Sequence, residues 1–210
     1  MTQIYLISPP KIELKQFSVE LEKALKTSLV PVFQLRLKDY EKSEVRKISL
    51  ELQKICQAND CQFLLNDNLD LALEIAADGV HLGAEDGSIK VAREKSQKIN
   101  ANFVIGASCY DSRHLAMEAG EQGADYVSFG AFFPSTTKNS QGKPTLEILE
   151  WANEITNLPI VAIGGINDQN CDSLVKAGAD FLAVISYVWG NYKGVAEALK
   201  RLDVSIKQAA

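Results

Sequence analysis

Strand-like and helix-like stretches alternate from end to end of the chain, which predicts an α/β fold of the (β/α)8 TIM-barrel type. Two further observations favour a barrel over an open doubly wound sheet. One phrase recurs: Ala77-Asp-Gly-Val-His-Leu-Gly83, Ala124-Asp-Tyr-Val-Ser-Phe-Gly130 and Ala179-Asp-Phe-Leu-Ala-Val-Ile185 each end a helix with Ala-Asp and enter an apolar strand at once. The first turn, Ser8-Pro9-Pro10, has none of the glycines of a dinucleotide-binding sheet. With 210 residues, 46% of them hydrophobic, the chain suffices for one core, and residues 1–210 are expected to form a single barrel domain.

The elements follow in order. Ile4–Ile7 is a short apolar run closed by Ser-Pro-Pro, a turn signal. From about Glu13 to Lys26, the residues Leu14, Phe17, Leu21 and Leu25 fall at helical spacing. Val30–Lys38 alternates as a strand. A helix from about Ser43 to Ala58 then carries Ile48, Leu52 and Ile55 on one face. Gln62–Leu65 is the third strand, followed by a short helix from Leu69 to Ala76. The recurring phrase supplies strands four, six and eight, while Asn102–Ser108 and Ile160–Gly165 supply five and seven. The remaining helices are expected at about Ser88–Ser96, Ser112–Gln122, Thr145–Ile155, Asp168–Ala177 and Gly194–Leu202.

Composition narrows the function classes. A net charge of −5 and no basic stripe with interleaved aromatics argue against a nucleic-acid partner. Met1–Pro10 has neither a cationic leader region nor a long apolar segment, and no run approaches a membrane span. A cytoplasmic protein with no membrane partner is expected, and a homo-oligomer is compatible with the chain. Cys56, Cys61, Cys109 and Cys171 form no Cys-x-x-Cys pair, and His81 and His114 lack ligand spacing to them, which argues against a zinc site or disulfide framework. Cys109, near a strand end, is read as packing rather than as a nucleophile.

In a barrel, strand C-terminal ends and the loops after them build the site. On strand two, period-two alternation puts Gln34, Arg36 and Lys38 on one face and Phe33, Leu35 and Leu37 on the other. The apolar face suits the helix layer, so the polar face should enter the barrel, where cations require an anionic ligand or carboxylates. Strand three ends in Asn66-Asp67-Asn68 and strand four in Gly83-Ala-Glu-Asp86. Carboxylates at neighbouring strand ends, beside cations and phosphate, suit a Mg2+ that keeps several waters. A competing reading makes Asp67 or Asn68 the cap of the helix near Leu69, and Asp86 the cap of the next.

Strand five ends at Ser108. After strand six, Gly130–Lys138 joins two aromatics, expected to be exposed, to Pro134, Ser135, Thr137 and Lys138, whose hydroxyls and ammonium are donors for an oxyanion. Strands seven and eight end at Gly164-Gly165 and Ile185-Ser186, where barrels often bind phosphate. One phosphate is therefore expected at Gly165 and Ser186. A second, metal-bound anion is expected among Arg36, Lys38, Asn66 and Lys138, so the ligands should be two phosphorylated molecules. Gly142-Lys143-Pro144-Thr145 only imitates the end of a P-loop, because the proline interrupts the order and the upstream glycine is absent.

Gln34-Leu-Arg-Leu-Lys38, Asn66-Asp67, the Ala77–Gly83 phrase with Asp86, the loop ending Thr137-Lys138, and Ile163-Gly-Gly165 together resemble the thiamine phosphate synthase family, in the same order over nearly the whole chain. The resemblance implies a Mg2+-assisted transferase. Hydroxymethylpyrimidine diphosphate would lose pyrophosphate, and the ring nitrogen of a thiazole phosphate would capture the resulting cation to give thiamine phosphate. It implies Asp67 and Asp86 for the metal, and Arg36, Lys38, Asn66, Ser108 and Lys138 for the pyrophosphate. Gln34 would contact the pyrimidine, Ser135 and Thr137 would act from the loop, and Gly165, Ile185 and Ser186 would receive the thiazole phosphate. The loop would close over the diphosphate on a stiff base of Phe132, Phe133 and Pro134.

The chain departs from the family at Leu37, where an acidic residue is common, at Ala84, where glutamine is usual, and at Phe181, where glycine is common. Ser135 replaces a threonine and keeps the hydroxyl. Two alternatives stand beside this reading. A thiazole tautomerase of the same fold places a histidine just after strand five, where this chain has Tyr110. A non-catalytic phosphate-binding module would have no need of both aspartates with both lysines.

Overall fold

Parallel strands β1 (Gln3–Ile7), β2 (Val32–Leu35), β3 (Gln62–Asn66), β4 (Gly79–Leu82), β5 (Val104–Tyr110), β6 (Tyr126–Gly130), β7 (Ile160–Ile163) and β8 (Phe181–Val184) close into a barrel in chain order, with β8 pairing back onto β1. This is the computed structural model of the protein, and it describes residues 1–134 and 142–210. The expected (β/α)8 barrel is the fold observed.

Alternation along each strand sends side chains to two separate cores. Phe33 and Leu35 of β2, Phe63 and Leu65 of β3 and Val80 and Leu82 of β4 join the core between the sheet and the helices. Their neighbours Val32 and Leu64 point inward, with Tyr5, Ile7, Tyr126, Val161 and Ala183, and fill the barrel axis. The barrel interior is therefore packed at its base, and a cavity opens toward the strand C-termini.

The outer layer is α1 (Leu14–Leu25), α2 (Lys42–Gln57), α3 (Leu69–Glu74), α4 (Ile89–Ser96), α5 (Arg113–Glu121), α6 (Glu147–Ile155), α7 (Asp172–Lys176), α8 (Ser186–Trp189) and α9 (Val195–Ala209). Three of these differ from expectation. The helix expected from Asp168 starts at Asp172, because Asn167 and Asn170 side chains accept backbone N–H groups and hold the preceding residues in a turn. The single turn α8 is an addition, directly after β8. The last helix runs past Leu202 to Ala209 because Ile206 continues the buried stripe of Val195, Ala198, Leu199 and Leu202. Among the described residues no helix is long and apolar enough to cross a membrane.

The recurring Ala-Asp phrase has a structural cause. Asp78 donates its backbone N–H to Phe63 O (3.1 Å) while its carboxylate accepts from Phe63 N (2.7 Å). Asp125 does the same to Ile105, at 2.7 and 2.6 Å, and Asp180 to Ile160, at 2.9 and 2.8 Å. Each aspartate thus fastens the start of its own strand to the start of the preceding one, at the end of the barrel away from the cavity.

Candidate active site

β2 ends at Leu35, so Arg36 and Lys38 extend from its C-terminus over the barrel mouth while Gln34 stays inside, 2% exposed. Ser8, in the Ser-Pro-Pro turn, fixes this segment: its Oγ accepts from Arg36 N at 2.9 Å, and its own N–H donates to Gln34 O at 2.9 Å. Gln34 Nε2 donates to Asn66 Oδ1 at 2.7 Å, which leaves the Asn66 amide N–H2 for another acceptor. Gln34, Arg36, Lys38, Asn66, Asp67, Asp86, Ser108, Gly165, Ile185 and Ser186 all line one cavity of about 140 Å3. Every expected site residue among those described is thus brought together. Ser135, Thr137 and Lys138 lie outside the described residues.

Neither aspartate caps a helix. Asn68 Oδ1 accepts from Leu71 N (3.0 Å) and caps α3, while Ser88 caps α4. Asp67 adopts a left-handed backbone (φ 65°), which asparagine and aspartate tolerate better than other side-chain-bearing residues. Its amide is held by His81 O at 2.8 Å, and its carboxylate meets Lys38 Nζ at 3.1 Å. Burial raises the Asp67 carboxyl above the usual carboxylate range; Lys38 opposes that shift, and the facing Asp86 carboxylate adds to it. The Asp86 carboxylate folds back over Gly83, where any side chain would collide with it. Two carboxylates in mutual contact beside a lysine are an arrangement that a divalent cation would relieve.

Across the mouth, the chain after β6 pairs with the end of β7: Phe132 N donates to Ile163 O and Phe133 N to Gly164 O, both at 3.1 Å. Gly164 (φ 108°) and Gly165 (φ 62°) must be glycine, since side chains there would meet Ala131 and Phe133–Pro134. Phe132 and Phe133 are consequently half-buried against the outer core, not exposed as the composition of the stretch suggested. Beyond the undescribed residues, Lys143 N donates to Asp111 Oδ2 at 3.1 Å.

Some cavity residues escaped the sequence reading. His81 points into the barrel from β4, and its ring nitrogens meet Tyr126 Oη and Ser108 Oγ, each at 2.8 Å. Its position in Gly79-Val-His-Leu-Gly83 offered the signal, because alternation with Val80 and Leu82 turns it inward. Tyr110, at the end of β5, also reaches the mouth, and burial first, then Asp86 and Glu85, raise its phenol. Cys109, by contrast, belongs to the outer core, and burial pushes its thiol up to about 12. A protonated thiol on the wrong side of the sheet takes no part in the site.

Residues 4–188 match the family model described as thiamine monophosphate synthase. The chain belongs to the thiamine monophosphate synthase family. It is 48% identical over 202 residues to the thiamine-phosphate synthase of Erythrobacter litoralis, covering 94% of this chain and 93% of that one. It is 45% identical over 197 residues to the thiamine-phosphate synthase of Rhodospirillum centenum, covering 94% of each. Among solved structures, thiamine phosphate pyrophosphorylase from Pyrococcus furiosus superposes with a TM-score of 0.82 at 35% identity, over 99% of this chain and 96% of that one. 3-Hexulose-6-phosphate synthase, at 20% identity and a TM-score of 0.71, shares the fold.

Proposed function

We propose that this enzyme condenses hydroxymethylpyrimidine diphosphate with a thiazole phosphate, giving thiamine phosphate and pyrophosphate, and that it does so in the cytoplasm. One observation carries the reading: Asp67 and Asp86, with Lys38 and Arg36 beside them, share a cavity with the Gly164-Gly165 turn and Ser186. One side of that cavity suits a metal-bound diphosphate and the other a monophosphate. Among the described residues no group of three His, Cys, Asp or Glu gathers as a metal cage. A carboxylate pair fits Mg2+, which completes its shell with water and phosphate oxygens. Asp67 and Asp86 would hold that ion, which supplies positive charge to the departing diphosphate.

The chain's own residues do the rest. Arg36, Lys38 and the Asn66 amide donate to diphosphate oxygens as negative charge grows on them, with Lys138 joining from the loop. Ser108 donates from the barrel wall. Gln34, on the inner face, contacts the pyrimidine. Ser135 and Thr137 act from the loop after β6, whose first residues are fixed against β7. Gly165, Ile185 and Ser186 receive the thiazole phosphate and so hold the ring nitrogen in line with the cation. The Leu37 departure is harmless, since the side chain packs on the outer core. A tautomerase is disfavoured because Tyr110 supplies a phenol raised above its ordinary value, which is no base at neutral pH.

The test is an assay of purified protein with both substrates and Mg2+, following thiamine phosphate and pyrophosphate together. Equal amounts of the two are expected, with neither formed when one substrate is omitted. Isomerisation of the thiazole phosphate alone, without condensation, would overturn the proposal.

A further inference from the structure

A line of hydrogen bonds runs up the barrel axis from its packed base to the cavity. Tyr5 Oη meets Tyr126 Oη at 2.8 Å, Tyr126 Oη meets His81 Nδ1 at 2.8 Å, and His81 Nε2 meets Ser108 Oγ at 2.8 Å. Tyr5 is 3% exposed, Tyr126 6% and His81 9%. Gly106 makes room for the line, because a side chain there would occupy the Tyr126 ring. The His81 and Tyr126 rings stack at 5.6 Å between centroids, and Phe181 meets Tyr5 in a T-shaped contact. Burial raises both phenols above their ordinary value, so each keeps its proton.

The protons on this line can be placed by counting. The Tyr5 side chain is buried in the cluster that holds Val32, Leu64, Val161 and Ala183, and Tyr126 is the hydrogen-bond partner that the described residues give its hydroxyl. A buried O–H without an acceptor forfeits its desolvation, so Tyr5 donates to Tyr126. Tyr126 must then send its own proton to His81 Nδ1, the acceptor left to it. With Nδ1 accepting, the imidazole proton sits on Nε2 and points at Ser108 Oγ. Ser108 receives that bond, and its own hydroxyl proton is free to turn toward the mouth. Reversing the line would strand the Tyr5 proton; a doubly protonated ring would strand that of Tyr126.

We propose that Tyr126 and His81 are positioning residues that hold Ser108 as a hydrogen-bond donor toward an oxyanion bound in the cavity, with Tyr5 as the buried end of the line. This rests on the diphosphate reading for the identity of the oxyanion, whereas the direction of the line rests on geometry alone.

Nitrogen-15 NMR of ring-labelled histidine, in substrate-free protein, reads the direction. His81 and His114 are the two histidines of the chain, so a His81→Gln variant assigns the spectrum. His81 should show one protonated Nε2 and an unprotonated Nδ1. Tyr126→Phe should shift the Nδ1 resonance, which loses its donor; Tyr5→Phe should leave it near wild type, because Tyr126 still needs an acceptor. A wild-type His81 protonated on Nδ1, or an Nδ1 resonance indifferent to Tyr126→Phe, would overturn the proposal. In turnover, His81→Ala should lower kcat by about 10–100-fold with KM little changed, since the donor acts where charge develops. His81→Gln, which keeps an N–H near Nε2, should recover most of the rate. A His81→Ala variant that is folded by circular dichroism and keeps full kcat would refute the positioning role. If the condensation assay fails while the NMR signature holds, the reaction is misassigned and the line stands. A failed signature with normal condensation separates the two in the other direction.

Discussion

At the base of the barrel, Asp78, Asp125 and Asp180 each accept a backbone N–H from the neighbouring strand. At the mouth, Asp67 and Asp86 accept no such bond from the described residues; they face each other, and burial with mutual repulsion raises the Asp67 carboxyl. The same side chain, on the same kind of strand–loop junction, therefore stabilises one end and destabilises the other. The difference lies in what the backbone offers. Strand N-termini present unpaired N–H groups that a carboxylate satisfies, whereas strand C-termini present carbonyls that repel it. Bonds at the base offset the repulsion left at the mouth.

The contrast can be broken first at the mouth. Asp86→Ala is expected to cut turnover by about 100–1000-fold, the range for removing one element of electrostatic stabilisation, while the melting temperature stays at or above wild type. Melting as early as a base variant, with turnover intact, would erase the distinction between the two ends. At the base, Asp78→Ala strands the N–H of Phe63, which is fully buried, and should cost about 1–3 kcal/mol in urea denaturation. The kcat of the folded fraction should be unchanged.

The smallest effect has the opposite sign. Asp67→Asn keeps a residue suited to the left-handed backbone and removes the repulsion, so it should gain about 0.5–1 kcal/mol at neutral pH while activity is lost. The sign follows from linkage. The folded-state carboxyl lies above its unfolded value, so the folded form binds more protons and wild-type stability falls as pH rises from the ordinary carboxylate range through the raised value. The stability gain of Asp67→Asn should vanish in acid, and a constant gain down to low pH would remove repulsion as its cause.

Much of this was legible in the chain because barrels make local pattern and global position coincide. Alternation in Val32–Leu35 alone sends Gln34 inward, and the strand-end rule gathers Arg36, Asp67, Ser108 and Gly165 without any knowledge of contacts. Illegible were features that join residues far apart in sequence. Ser8 looked like a turn residue until it was seen to hold Arg36. His81 looked isolated because its partners Tyr126 and Ser108 come from other strands. Spacing favoured metal binding for the two aspartates taken together, but which of the adjacent Asp67 and Asn68 caps α3 was undecidable from it.

By itself, then, the sequence determined the alternating elements, the two faces of each strand and the rim on which the polar residues gather, because these follow from periodicities of two and 3.6 residues. Only the tertiary structure decided that Asn68 and Ser88 cap, leaving Asp67 and Asp86 to face each other. It alone revealed that Asp78, Asp125 and Asp180 fasten the base, and that Tyr5, Tyr126 and His81 form one line beneath Ser108. The physical reason is register. Which atoms meet across neighbouring strands depends on how the closed barrel staggers them, and no single strand encodes that stagger.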